Sequence, residues 1–81
     1  MMELSLGEAI QVVEDWLNKH TYDYVITKID VRKLGTGCDV LFTEYGPGGR
    51  SDGGDESVIT VFRNGRMFNV NGDELKDEDD L

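Results

Sequence analysis

SVITVFRNGRMFNV, residues 57–70, decides the fold. Asn64-Gly65 at its centre is a strong hairpin signal, because both residues tolerate the positive φ that a two-residue turn between twisted strands requires. Such a turn sets a register: Arg63 opposite Arg66, Phe62 opposite Met67, Val61 opposite Phe68 and Ile59 opposite Val70. Ile59, Val61, Phe68 and Val70 then share the predicted core face. Phe62 and Met67 pair on the reverse side, beside Thr60 and Asn69.

Upstream, the period is also two. Val25, Thr27, Ile29 and Val31 alternate with Lys28, Asp30 and Arg32, which predicts a half-buried strand ending at Gly35-Thr36-Gly37. The run from Cys38 to Tyr45 places apolar residues on both parities, so it reads as a central strand covered at least partly on both faces. The short glycine-bearing connection makes these two strands an antiparallel hairpin. Between the hairpins lies GPGGRSDGGDE at 46–56, with five glycines and the only proline. This stretch predicts neither helix nor strand but a mobile loop.

The N-terminal part reads as a helix over about 5–20. Ser5 and Glu8 stand at capping-box spacing. Leu6, Ala9, Ile10, Val13, Trp16 and Leu17 recur at three- and four-residue intervals, and Lys19 and His20 suit the negative helix end. Helix, hairpin, loop, hairpin predicts an α+β domain over residues 1–72. One N-terminal helix packs on a four-stranded antiparallel sheet, and 73–81 forms a disordered acidic C-terminal tail. The sheet's second face would stay open.

The chain of 81 residues carries 17 Asp and Glu against eight Lys and Arg, a net charge of −9. Residues 1–72 hold 11 acids against seven bases, a net of −4. The tail adds Asp73, Glu74, Asp77, Glu78, Asp79 and Asp80 against Lys76 alone. Such a surface repels nucleic acid and anionic membrane and attracts basic protein surfaces. Crowded carboxylates can also imitate a phosphate backbone, so a DNA-mimic role stays open beside a merely solubilising one.

A single cysteine, Cys38, rules out an intrachain disulfide and fits a reducing compartment. MMELSLGEAI lacks the basic and apolar runs of a signal peptide, and no apolar run approaches the ~20 residues of a membrane span. A cytoplasmic location is therefore expected.

Chemistry-bearing residues are few. His20 is the only imidazole and reads as a helix-end residue, and Cys38 as a buried small hydrophobe. One Cys and one His cannot form a structural zinc site. The glycine-rich loop lacks phosphate-loop spacing and carries Asp52, Asp55 and Glu56, which repel phosphate. No catalytic residue, metal site or cofactor is expected. The candidate partner-binding residues are the six tail acids, Asp52, Asp55 and Glu56 in the loop, and Phe62 with Met67 as an apolar patch. Tyr22, Tyr24 and Tyr45 are candidate neighbours of that patch.

Over about residues 7–72 the chain resembles the immunity protein 35 group, small cytoplasmic proteins associated with bacterial polymorphic toxins. The likeness lies in Glu8, Ala9, Trp16 and Leu17 of the helix, in Val40, Phe42 and Tyr45, and in Val58, Ile59, Val61 and Gly65. Cys38-Asp39 departs from it, standing where a Gly-Trp pair is expected. The resemblance implies a toxin-neutralising binder without catalysis. A phage-encoded inhibitor of a host defence nuclease, such as an anti-CRISPR protein, would share the same size and charge. The expected function is thus stoichiometric inhibition of a basic, nucleic-acid-handling protein. The alternative is a structural or self-associating module that forms a homodimer through the open sheet face or the sheet's edge.

Overall fold

In the computed structural model, which describes residues 4–76, helix α1 spans Leu6–His20. Its start is the predicted capping box. The Glu8 N–H donates to Ser5 Oγ at 3.1 Å, and the Ser5 N–H donates to Glu8 Oε1 at 2.9 Å. Both bonds satisfy amides that the helix leaves without carbonyl partners. The Ser5 contacts also hold the Glu8 carboxyl below the usual glutamate range. At the other end the Thr21 hydroxyl donates to the Leu17 carbonyl at 2.7 Å. Ala9, Val13 and Leu17 form the buried stripe, flanked by the half-buried Ile10, Val12 and Trp16.

The sheet has five strands, not four: β1 (Asp23–Val31), β2 (Gly37–Tyr45), β3 (Asp55–Phe62), β4 (Met67–Phe68) and β5 (Glu74–Leu75). They are antiparallel and adjacent in chain order, a meander with β1 at one edge and β5 at the other. Helix α1 crosses β2 and β3 on one face. Ala9, Val13 and Leu17 meet Cys38, Val40, Phe42, Ile59, Val61 and Met67 there, and these nine form the core.

The fifth strand takes residues that the sequence assigns to the tail. Leu75 pairs with Met67 and packs against the core, while Glu74 pairs with Phe68 on the other face. An apolar contact and an ion pair therefore extend the sheet past the Gly72 turn. Asp77, Glu78, Asp79 and Asp80 lie outside the described residues.

The hairpin register also differs from the predicted one. Val61 faces Met67 and Thr60 faces Phe68, one residue out of the expected alignment. The connection is a three-residue loop, 63–65, with Gly65 at φ 89 supplying its left-handed residue. Arg63 cannot pair with Arg66 because its backbone is already bonded elsewhere. Its N–H donates to the Thr36 carbonyl at 3.0 Å, and its carbonyl accepts from the Leu4 N–H at 2.8 Å. A one-residue slip exchanges the two faces. Met67 is consequently in the core, only 8% exposed, and Phe68 joins Phe62 on the reverse side.

A similar exchange occurs in β1. Ile26 faces Phe42 but Lys28 faces Leu41, so Thr27 is the extra residue of a bulge. Its hydroxyl donates to the Leu41 carbonyl at 3.3 Å. The bulge puts Tyr24 and Ile26 on the helix face together with Ile29 and Val31, and sends Val25 to the reverse face. The strict alternation expected of Val25, Thr27, Ile29 and Val31 is broken there.

The loop at 46–56 is shorter than predicted, because Asp55 and Glu56 already belong to β3 and Arg50–Asp52 form a 3₁₀ turn. Arg50 ties it down, donating to Asp23 at 2.9 and 3.3 Å with its guanidinium 5.4 Å from the Tyr45 ring centre. Gly37 opens β2 where a Cβ would run into the Val61 carbonyl and the Phe62 backbone.

Candidate functional site

Among the described residues, no helix or strand covers the face of the sheet opposite α1. Its middle holds a shallow depression of 570 Å³, whose floor includes Val58, Thr60, Phe62 and Phe68. The two phenylalanines meet edge to face, with centroids 5.6 Å apart and rings at 76°. An arginine stands over each ring: the Arg32 guanidinium is 5.5 Å from the Phe62 centroid, and that of Arg66 is 5.4 Å from Phe68.

Each arginine is in turn held by a carboxylate. Asp39 Oδ1 accepts from Arg32 Nε at 3.2 Å and Nη2 at 3.0 Å, and from the Thr60 hydroxyl at 2.7 Å. Glu74 takes Arg66 bidentately, Oε2 from Nε at 3.0 Å and Oε1 from Nη2 at 2.8 Å. That hydrogen bonding holds the Glu74 carboxyl below the usual glutamate range against the opposing effect of burial, with the charges of Arg66 and Lys76 adding to the lowering. The result is a ladder across the face, Arg32 over Phe62 against Phe68 under Arg66, with both cations orientated by their acids. Planar guanidinium and aromatic surfaces presented this way suit contact with another protein.

The predicted site residues are scattered over the molecule. Phe62 lies on this face, but Met67 does not. Its place is taken by Phe68, and the expected patch of Phe62 with Met67 is replaced by Phe62 with Phe68. No tyrosine lines the depression. The Tyr24 hydroxyl donates to Asn18 Oδ1 at 3.0 Å beside α1, and burial together with Glu14 and Asp15 pushes its phenol upward. Tyr45 sits under Arg50. Tyr22 is 74% exposed where α1 passes into β1.

Of the acids, Glu74 is bound to Arg66. Asp73 is exposed, and its backbone is locked to Asn69. Asp52 is exposed in the 3₁₀ turn, and Asp55 and Glu56 are exposed at the start of β3. Asp55 faces Glu44 across the sheet and Glu56 faces Thr43. Two carboxylates directly opposite each other repel. Glu44 and Asp55 line a second depression of 230 Å³ together with His20, Tyr22 and Tyr45.

Arg32, Asp39, Arg66 and Phe68 are the residues that sequence reading missed. Reading 63–65 as a three-residue loop would have moved Phe68 to the correct face. Nothing local links Arg32 to Asp39, which meet only through the pairing of β1 with β2.

Cys38 is buried, and burial, with a smaller effect from Asp39, pushes its thiol up. Among the described residues no group of three or more His, Cys, Asp or Glu side chains is placed to hold a metal ion. No described helix is long and apolar enough to cross a membrane. No protein-family model, curated protein or solved structure matches this chain.

Proposed function

We propose that the protein is a small, acidic, non-enzymatic binder that inhibits a basic, nucleic-acid-handling protein stoichiometrically, as a toxin-neutralising immunity protein or a phage anti-defence inhibitor does. The observation that carries this reading is the uncovered sheet face with its ladder of Arg32, Phe62, Phe68 and Arg66. Aromatic and arginine side chains dominate the energy of protein interfaces, and here two of each are held in fixed orientations before any partner arrives.

Charge selects the class of partner. A net of −9 attracts a cationic surface over a distance and raises the encounter rate. The facing pair of Glu44 and Asp55 concentrates that charge at one end of the sheet. The buried, protonated Cys38 thiol is a poor nucleophile, which supports binding without catalysis.

The test begins with affinity capture from the native host at low and high salt. The captured protein is then purified and titrated by calorimetry. The expected result is a one-to-one complex that Phe62→Ala with Phe68→Ala weakens at every salt concentration. Asp55→Lys should flatten the salt dependence of association while raising the melting temperature, because it relieves the repulsion from Glu44. A partner bound equally well by the double alanine variant would overturn the assignment of this face.

A further inference from the structure

We propose that the free edge of β1 is a self-pairing surface, onto which a second copy of this chain adds its own β1 antiparallel, centred on Ile29. The two sheets then join into one of ten strands. β1 is the sheet's long edge, nine residues against the two of β5. At its hairpin end the Arg32 N–H donates inward to the Gly37 carbonyl at 2.9 Å. By antiparallel alternation Lys28 and Asp30 also direct their backbone groups towards β2, which leaves those of Ile29 and Val31 pointing outward along the edge. An unpaired row of this kind is a template for another strand.

The side chains agree. Ile29 is 40% exposed and Val31 57%, on the helix side of the sheet, because α1 lies over β2 and β3 and no other described element covers this edge. Three antiparallel registers match the outward backbone groups. Centring on Asp30 sets Asp30 against its own copy and Lys28 against Arg32, so like charges meet. Centring on Val31 requires Arg32, which Asp39 and the Phe62 ring already hold, and puts Ile29 opposite Lys33.

Centring on Ile29 places Ile29 against Ile29, and Lys28 of each copy against Asp30 of the other. Among the described residues Lys28 and Asp30 bridge only each other along one strand, at 3.5 Å and well exposed. Self-complementary charge therefore selects this occupant and this register. The edge also carries less acid than the chain as a whole. Positions 28–33 hold three bases and one acid, while the whole chain is at −9.

Sedimentation velocity over a concentration series tests the proposal. The unaltered chain should move from monomer to dimer. Asp30→Lys reverses an exposed charge and sets lysine against lysine twice across the two-fold axis. It should weaken the dimer about tenfold or more while leaving the circular dichroism spectrum unchanged. Adding Lys28→Asp to that variant reverses both charges and should restore association to near the original level. The proposal falls if the unaltered chain stays monomeric to millimolar concentration, if Asp30→Lys dimerises as well as the parent, or if the double reversal fails to restore pairing. A dimer that dissociates on Phe62→Ala but survives Asp30→Lys would move the interface to the opposite sheet face and overturn it equally.

Discussion

Asp39 shows how much one residue on the open face does. Its Oδ1 takes two bonds from Arg32 and one from Thr60, and so fixes the cation over Phe62 while joining β1, β2 and β3 on the side without a helix. Met67 does the complementary work inside, facing Val61 beneath α1. Met67→Ala should cost about 2–5 kcal/mol in urea unfolding, the range for truncating a buried methionine. On the reverse face, as the two-residue turn would have it, the same change would cost far less. Its measured cost therefore distinguishes the two registers directly.

At the scale of elements, two carboxylates pin the sheet's ends. Glu74 holds β5 to Arg66, and Asp23 holds the start of β1 to Arg50 in the loop before β3. Both acids are held below their ordinary range, Asp23 chiefly by the hydrogen bond from Arg50 and Glu74 by that from Arg66. A carboxyl whose folded value is depressed stabilises the fold fully above its unfolded value, about 4 for these residues. That stabilisation is lost as pH falls through the folded value. Urea midpoints measured from pH 6 to pH 2 should accordingly decline below about pH 4. Arg66→Gln should start lower at pH 6 and decline less steeply. An identical slope in the variant would remove Glu74 from the acid response.

For the whole molecule, charge and fold meet at the C-terminus. Residues 73–76 build and secure β5, and Asp77 is the first acid beyond the described residues. Deleting 77–81 should reduce the salt dependence of the association rate, because it lowers the long-range attraction. Deleting 73–81 should in addition cost about 1–3 kcal/mol, since Leu75 no longer packs against the core and Arg66 loses its acid. Stopped-flow association and thermal unfolding of the two truncations separate the electrostatic part of the tail from the structural part.

Whatever depends on neighbours three or four positions apart could be read from the chain alone. Ser5 and Glu8 close their box, Ala9, Val13 and Leu17 of the expected α1 stripe are buried with Leu6, Ile10 and Trp16 half-buried beside them, and Asn64-Gly65 does turn the chain back between two strands. Helical period, capping and turn propensity are short-range properties and need no knowledge of the remainder of the fold. The faces of the sheet were a different matter. Bonds to Thr36 and Leu4, distant in sequence, took Arg63 out of the pairing and reversed Met67 and Phe68. A bulge at Thr27 reversed part of β1. Glu74 and Leu75 became a strand only because Arg66 and the core were there to receive them. Alternation along a strand is written locally, but its phase is set by contacts between elements, and so the tertiary structure alone decided which aromatic rings face outward.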